Sequence, residues 1–507
     1  MRPAYYQHKW RQVKLAPNAE AVDSLAQRVA STFVDRYFYS DEYNADYIQL
    51  LCEMATHFEE ESLNQIAARA LFGIVIERLC DDFEELQTET YNRLICQVVD
   101  YLRGLPQGSE LNQALNDFHL ETEEQLYQRI ESIRLSPDER LPSRLKPDRI
   151  IVLSRVTIGA DVAVTSVICQ RIALAFPDAE IVVAGSAKLR EVFAENSGIR
   201  IRDLHYSRRG GLLERFLAWL NLLREIRAEL VALSDSQYLV LDPDSRLTQL
   251  GVLPLVPGQN YRFFNSRGKP GYAIKASISQ LTNKWLDNIL GTSAFCYPSV
   301  WPDPISMLNA NDGCSRLKHG SDQTLVALNF GVGGNLRKRV EGDFETLLVM
   351  ALLSDPQVRV ILDLGFGSEE RQRSEDILQA VSASGYSVQA LRFADLAQLK
   401  STTRLLGVEC SVAEIAALIA GSDEFIGYDS ACQHIAAAQG IRTFTIFAGT
   451  SNARFIRRWQ ATGPNLSEIL YVDTLSRESQ LDYREIVARL LDLRRDQDDD
   501  IEAEFPV

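Results

Sequence analysis

Two periodicities divide this chain. Up to about residue 145, apolar positions recur at three- and four-residue spacing, as in Val22, Leu25, Val29 and Phe33, or Leu63, Ile66, Ala70 and Ile74. That spacing lines one face of an amphipathic helix. It predicts five to seven short helices packed as a bundle or irregular solenoid. The acidic stretches 81–89 and 121–124 read as helix starts or solvent-facing turns. No repeat of fixed period is visible. Segment 135–147 carries three prolines in a polar setting and reads as a linker.

Beyond the linker the pattern changes to short apolar runs separated by helical stretches. Runs at 149–154, 181–185 and 238–241 read as buried strands, with helices at about 162–176 and 212–230 between them. Residues 258–322 are richer in Gly, Pro and Asn and are assigned to an inter-domain crossing. A second set of strands follows at 324–329, 358–363, 388–391, 424–427 and 443–447. Strands alternating with helices imply parallel sheets covered on both faces. The fold class is therefore α/β: two Rossmann-like doubly wound domains preceded by an all-α domain. The expected spans are 1–145 (all-α), 148–310, 320–490, and an acidic tail at 494–507 without structure. Ligands of such sheets bind beyond the carboxyl ends of the strands.

Length and composition fit this division. A chain of 507 residues exceeds one core, because single cores stop growing near about 250–300 residues. The apolar share of 46% is that of an ordinary folded protein. No unbroken run of 18 apolar residues suggests a membrane span, and the N-terminal segment lacks the apolar core of a signal peptide. A formal charge of −16 argues against nucleic acid as a general partner. Basic clusters are local: Arg208-Arg209, Arg337-Lys338-Arg339 and the stretch 454–458. They suit a small anionic ligand. None of the eight cysteines forms a Cys-x-x-Cys pair, so no metal site is signalled, and a reducing, cytoplasmic setting is expected.

Five places carry candidate chemistry. In the first, Phe425-Ile-Gly-Tyr-Asp-Ser-Ala-Cys-Gln-His434 reads as strand, tight turn and helix start. Asp429, Ser430 and the amides that follow stand at a helix N-terminus, which attracts anions, and His434 lies one turn further on. An N-cap and a core histidine are the plainer readings. The second is Asn329-Phe-Gly-Val-Gly-Gly-Asn-Leu-Arg-Lys-Arg339, which places Gly333, Gly334 and Lys338 after a strand, where backbone and cation meet phosphate, or forms an ordinary solvated turn. The third is Asp161, after the first strand of the first α/β half. It is placed at the cleft mouth as a general base, with helix capping as its alternative. The fourth, Asp363-Leu-Gly-Phe-Gly-Ser368, lines the nucleotide pocket or makes a plain turn. The fifth, the helix from Arg208 to Leu230, is a core helix of the sheet or, through its basic flanks, a membrane contact.

Gly427-Tyr-Asp-Ser-Ala-Cys-Gln-His-Ile-Ala-Ala-Ala with Phe447-Ala-Gly-Thr450 resembles the ADP-heptose:lipopolysaccharide heptosyltransferases. Segment 150–181 and Leu241-Asp-Pro-Asp-Ser-Arg-Leu247 are similar to that family's first half, so the resemblance spans roughly residues 148–490. It implies a GT-B fold and metal-independent, inverting transfer of a sugar from a nucleotide-diphosphate donor to an acceptor hydroxyl, with no cofactor. It implies Asp161 as base, Lys338 near the donor phosphates, and Asp429, Ser430, Ala431 and His434 as the donor-binding turn. Three positions depart from the family pattern. Ala431 stands for its glycine, Gly159-Ala-Asp161 is one residue longer than Gly-Asp, and Phe-Ala-Gly-Thr replaces Phe-Gly-Pro-Thr. The expected partners are a nucleotide sugar and a saccharide, lipid-linked or polypeptide acceptor. Peripheral contact with the inner membrane and homo-oligomerisation are left open. The competing readings are a non-catalytic nucleotide-sugar-binding scaffold or sensor of the same fold and, more remotely, a nucleotide-sugar epimerase.

Overall fold

The computed structural model describes residues 2–206, 210–269, 271–320, 322–476 and 481–504. The Arg208-Arg209 pair lies outside the described residues.

The first region is all helical, as its periodicity predicts. Seven rods are present among the described residues: Pro3–Leu15, Ala19–Ser40, Ala45–Met54, a third long rod from Glu61 to Asp81, Glu85–Arg103, Ser109–Asp117 and Glu123–Leu135. The Glu61–Asp81 rod is continuous because Glu61–Ala70 and Glu77–Asp81 are joined by a π-helical segment, Leu71–Ile76, with α-type backbone at both joints. Its last residues deliver Asp81, Asp82 and Phe83 to the rest of the molecule.

Five parallel strands follow in the order β3-β2-β1-β4-β5: β1 Arg149–Leu153, β2 Glu180–Gly185, β3 Arg200–Asp203, β4 Tyr238–Asp242 and β5 Tyr261–Phe263. Seven more form a second parallel sheet: β6 Thr324–Asn329, β7 Val358–Asp363, β8 Val388–Arg392, β9 Leu405–Glu409, β10 Glu424–Tyr428, β11 Arg442–Phe447 and β12 Ser467–Tyr471. Their order is β12-β11-β10-β6-β7-β9-β8. The two doubly wound sheets form a GT-B-like α/β architecture. In the second sheet the winding reverses between β6 and β10, which lie side by side. The crevice beyond their carboxyl ends is where a ligand is expected.

Side chains alternate across each strand, and the two faces of the first sheet serve different neighbours. Ile151, Leu153, Val182, Ala184 and Val240 join one continuous core with the helical rods and the helix Leu212–Leu230. That helix buries Leu212, Phe216, Trp219 and Leu223, so it is a core helix. Ile150, Val152, Val183, Leu239 and Leu241 face the other way. They share a core with Leu325, Ala327, Ile361 and Phe425 of the second sheet, through helices that include Ile278–Leu290 and Pro304–Leu317. The first sheet thus lies between the helical region and the second sheet. Polar ties cross the same boundary. Glu191 accepts from the amides of Val412 (2.8 Å) and Ala413 (3.2 Å), capping the helix Val412–Ala420 of the other half. Arg458, 2% exposed, donates to the carbonyls of Ala273 (2.9 Å) and Ala276.

Two expectations change. The acidic tail is not structureless, because the helix Tyr483–Glu504 continues through it. Leu490 and Leu493 hold that helix on the second core, and Arg494 pairs with the buried Glu424 at 2.7 Å. The helix after β1 runs from Ile158 to Ala175 and is long and apolar enough, by length and composition, to cross a membrane. It is mostly buried between the sheets, and its Arg171 pairs with Asp287 at 2.8 Å, so it is a core helix.

Candidate functional site

The turn after β10 is built by close packing. Gly427 has no side chain because a Cβ there would sit 2.6 Å from the Asn329 carbonyl of β6. Ser430 caps the helix Ala431–Ala438 by position only, since its hydroxyl makes no capping bond and is buried without a partner. Asp429 is therefore not the cap. Its carboxylate accepts from Lys338 Nζ at 2.5 Å and from Gln433 Nε2 at 2.7 Å, and Lys338 also reaches the Asp429 carbonyl at 3.3 Å. The Gly-rich loop and the turn after β10 are thereby joined, although 91 residues separate Lys338 from Asp429.

The loop itself is open. Gly333 (φ 61°) and Gly334 (φ 82°) are exposed and take left-handed backbone, and space lies beside Gly333. Of the three cations that follow, Arg337 is exposed and Lys338 is bound to Asp429. Arg339 is buried among Glu345 (3.6 Å), Glu369 (3.6 Å) and Glu370 (3.9 Å). Arg339 is a structural residue and not a phosphate contact. Gly449, in Phe447-Ala-Gly-Thr450, has φ 73°, and a Cβ there would lie 2.0 Å from the Arg337 carbonyl. The shifted glycine of that motif is what lets the basic loop pack.

His434 is 3% exposed, its ring stands edge-on to Trp459 at 6.0 Å, and its Nδ1 has no partner. Burial lowers its pKa to about 4. Asp429 pulls it up and Lys338 pushes it down, both less strongly. The imidazole is therefore neutral at pH 7.

The first α/β half meets this turn directly. A Cβ on Gly159 would lie 3.0 Å from Ala431 Cα and 3.3 Å from His434 Cδ2. The glycine expected at position 431 is thus matched by one on the facing element. No phosphate fits between Gly159 and the N-terminus of the helix Ala431–Ala438 at this separation.

Asp161 is not at the cleft mouth. It is 1% exposed, and its carboxylate accepts from Ser154 Oγ, the Arg155 amide and Thr165 Oγ1, all at 2.7 Å. Burial raises its pKa to about 6 against these hydrogen bonds. The carboxylate pins the turn in which Val156, a β-branched residue, sits at φ 74°. Asp161 opens a π-helical segment, Asp161–Thr165, in which the extra residue of Gly159-Ala-Asp161 is absorbed without breaking the helix. Its direct work is to hold the Arg155 turn. The Arg155 guanidinium donates to Pro243 O (2.6 Å) and Ser266 Oγ (3.0 Å) and lies over Trp459 at 5.8 Å. Asp242 and Asp244 also turn inward, Asp242 to Thr248 and Tyr261, Asp244 to Arg267 at 3.0 Å. Asp363, beside β6, accepts from Asn329 Nδ2 at 2.6 Å and from the Gly365 amide at 2.9 Å, the bonding of a strand-end turn.

Other residues reach the cleft, among them members of the acidic stretch 81–89 and of the basic stretch 454–458. Asn452 donates to Asp82 Oδ1 at 3.0 Å and to the Asp81 carbonyl at 3.4 Å. Arg454 pairs with Glu84 at 3.1 Å. Phe83 packs against Phe455 and Trp459. The end of the Glu61–Asp81 rod thus closes one side of the site. Asn452 lies just past Phe447-Ala-Gly-Thr450.

Residues 380–481, which contain the turn after β10 and the Phe447–Thr450 motif, match the model of glycosyltransferase family 9 (heptosyltransferase). No curated protein matches the chain in sequence. Among solved structures, a family 9 glycosyl transferase from Veillonella parvula aligns at 15% identity over 67% of this chain and 88% of its own, with a TM-score of 0.46. The E. coli ADP-heptose lps heptosyltransferase II aligns at 14% identity over 69% and 99%, with a TM-score of 0.45. The E. coli heptosyltransferase WaaC with ADP aligns at 14% over 68% and 99%, with a TM-score of 0.42. In the segment that carries its candidate donor turn, the chain is similar to the heptosyltransferases of glycosyltransferase family 9.

Proposed function

We propose that this protein is a heptosyltransferase-like glycosyltransferase that moves a sugar from a nucleotide-diphosphate donor to an acceptor hydroxyl, with inversion and without a metal or other cofactor. The observation that carries this reading is the Lys338–Asp429–Gln433 assembly at the carboxyl end of β10, of which Asp429 and Gln433 lie inside the segment that matches the family 9 model. A cation held beside a helix N-terminus is suited to a leaving diphosphate, whose charge builds up as the glycosidic bond breaks. Lys338, with Gly333 and Gly334 before it, would take the phosphates. Ser430 would offer its unpartnered hydroxyl, and neutral His434 would wall the site with Trp459. Inversion fits a single displacement in which an acceptor oxygen attacks the anomeric carbon opposite the diphosphate. For the donor to reach the helix Ala431–Ala438, the segment Ile158–Ala160 has to move away from Ala431, so donor binding would include an opening of the two α/β halves. The acceptor is a saccharide, a lipid-linked sugar or a polypeptide. A cytoplasmic setting follows from the nucleotide-sugar donor.

The test is a thermal-shift series with ADP-, UDP- and GDP-sugars, followed by product analysis. A rise in Tm with one nucleotide, abolished in Lys338→Ala, is expected. No rise with any of them refutes donor binding. Binding without release of nucleoside diphosphate under any acceptor condition favours the scaffold reading instead.

A further inference from the structure

The turn Asp363-Leu-Gly-Phe-Gly-Ser368 leaves one side chain unaccounted for. Phe366 is 90% exposed, although its backbone is pinned on both sides. Gly365 (φ 80°) and Gly367 (φ 88°) flank it in left-handed conformation, and a Cβ on Gly365 would lie 2.7 Å from Glu370 Cβ. The Gly365 amide donates to Asp363 Oδ1 at 2.9 Å, and the Phe366 amide to Glu370 Oε2 at 3.0 Å. The turn therefore holds an aromatic ring out of the core from a fixed backbone.

Its place is beside the donor loop. Glu370 also accepts from the Val332 amide at 3.3 Å, and Asp363 from Asn329 Nδ2 at 2.6 Å. Two carboxylates thus tie the turn after β7 to the Gly-rich loop after β6. In the order β10-β6-β7, the turn after β10, where Lys338 meets Asp429, lies two strand spacings from the turn after β7, about 10 Å. A ribose and its phosphates span such a gap. Glu369 and Glu370 open the helix Ser368–Ala383, so this end of the row repels phosphate and suits an uncharged group.

The ring also faces the opposing half. Lys188 of the first α/β half stands 5.7 Å from its centroid, a cation over a π face. The short turn that carries Lys188, Ala187–Glu191, is fixed against the second half by Glu191, which caps the helix Val412–Ala420. The exposed ring is thus turned into the cleft between the two sheets.

We propose that Phe366 stacks on the nucleobase of the donor, taking the base on the ring face where Lys188 now stands. The inference rests on the glycosyltransferase reading above and gives the donor site its second end, with phosphates at Lys338 and the base at Phe366. Every base has a π face, and stacking reads no hydrogen-bond pattern. Phe366 therefore contributes affinity for the nucleoside part of the donor. Donor binding withdraws Lys188 from the ring, in step with the opening of the two halves.

The experiment uses the full chain and calorimetry with ADP, UDP, GDP and inorganic pyrophosphate. Phe366→Ala is expected to lose about 5- to 150-fold in affinity for the nucleotide that wild type binds most tightly, and none for pyrophosphate. Phe366→Trp is expected to keep that affinity, with indole fluorescence quenched as the base stacks. Lys338→Ala is expected to weaken nucleotide and pyrophosphate alike. Lys188→Ala, which only uncovers the ring, is expected to bind nucleotide at least as tightly as wild type. The Phe366 side chain stands in solvent, so the Tm of its variants without ligand is expected to be unchanged, and a loss of affinity reports on binding. If Phe366→Ala keeps its nucleotide affinity within about twofold, or loses pyrophosphate in the same proportion, the assignment is overturned while donor binding stands. The same holds if Lys188→Ala costs as much as Phe366→Ala, because the contact between the halves would then be what matters. If wild type binds none of these nucleotides, the transferase reading falls and takes this assignment with it.

Discussion

The buried histidine gives the most direct physical test of the donor turn. In the native protein the His434 pKa is about 4, and in the unfolded chain it returns to about 6.5. The unfolded chain therefore binds a proton first as pH falls. Stability from this group is complete above about pH 6.5 and is lost as pH drops toward 4. Between pH 7 and pH 5 the linkage relation gives a loss of about 2 kcal/mol. Asp161 and Asp242 act in the opposite sense. Their pKa values are raised to about 6, so they favour the fold at low pH and lose that contribution as pH rises through 6. The wild-type curve alone thus mixes opposing trends. Urea denaturation of wild type and His434→Gln at pH 7, 6 and 5 isolates the histidine, because the carboxylate contributions cancel in the difference. The stability gap between the two proteins is expected to shift by about 2 kcal/mol in favour of the variant from pH 7 to pH 5. A shift below about 0.5 kcal/mol would mean an ordinary, solvated imidazole, and the packing of His434 against Trp459 and Gly159 would be refuted.

Other outcomes follow from the same geometry. Lys338→Ala, which leaves Asp429 without its cation, is expected to weaken nucleotide-diphosphate binding by at least about tenfold in calorimetry. Asp161→Asn leaves hydroxyl and amide donors poorly matched and is expected to destabilise the fold by about 1–3 kcal/mol in denaturant titration, while the folded protein still binds nucleotide. A Gly449→Ala side chain has to displace the Arg337 carbonyl in a left-handed backbone. Circular dichroism melts should show a lowered Tm together with loss of nucleotide binding, and an unchanged melt would contradict the loop packing.

Strand legibility mostly followed burial, with the edge strand β8 as the exception. β1, β6, β7, β10 and β11 are interior runs of β-branched and aromatic residues, visible as such in sequence. β3 and β12 are edge strands whose side chains are largely half-exposed, and β5 is three residues long, so none carries an apolar run. β9 is interior, but Gly407 interrupts it. A Cβ there would lie 2.8 Å from Leu378, so the glycine answers to a helix that local pattern cannot show. The donor turn was readable because its elements are contiguous. The Lys338–Asp429 pair was not, because the contact is made by the winding of the sheet. A regular helix start would put Asp161 at the mouth, whereas the π segment and its bonds from Ser154 and Thr165 set it inside.

The core that joins the helical rods to Ile151, Leu153, Val182, Ala184 and Val240 limits how the chain can be cut or recombined. A fragment starting at the proline-rich linker would expose the apolar surface that the rods cover on that sheet and on the helix Leu212–Leu230, and a graft of the helical region onto another α/β pair would need a matching strand pattern. The linker looks like a border in composition, yet one core runs across it.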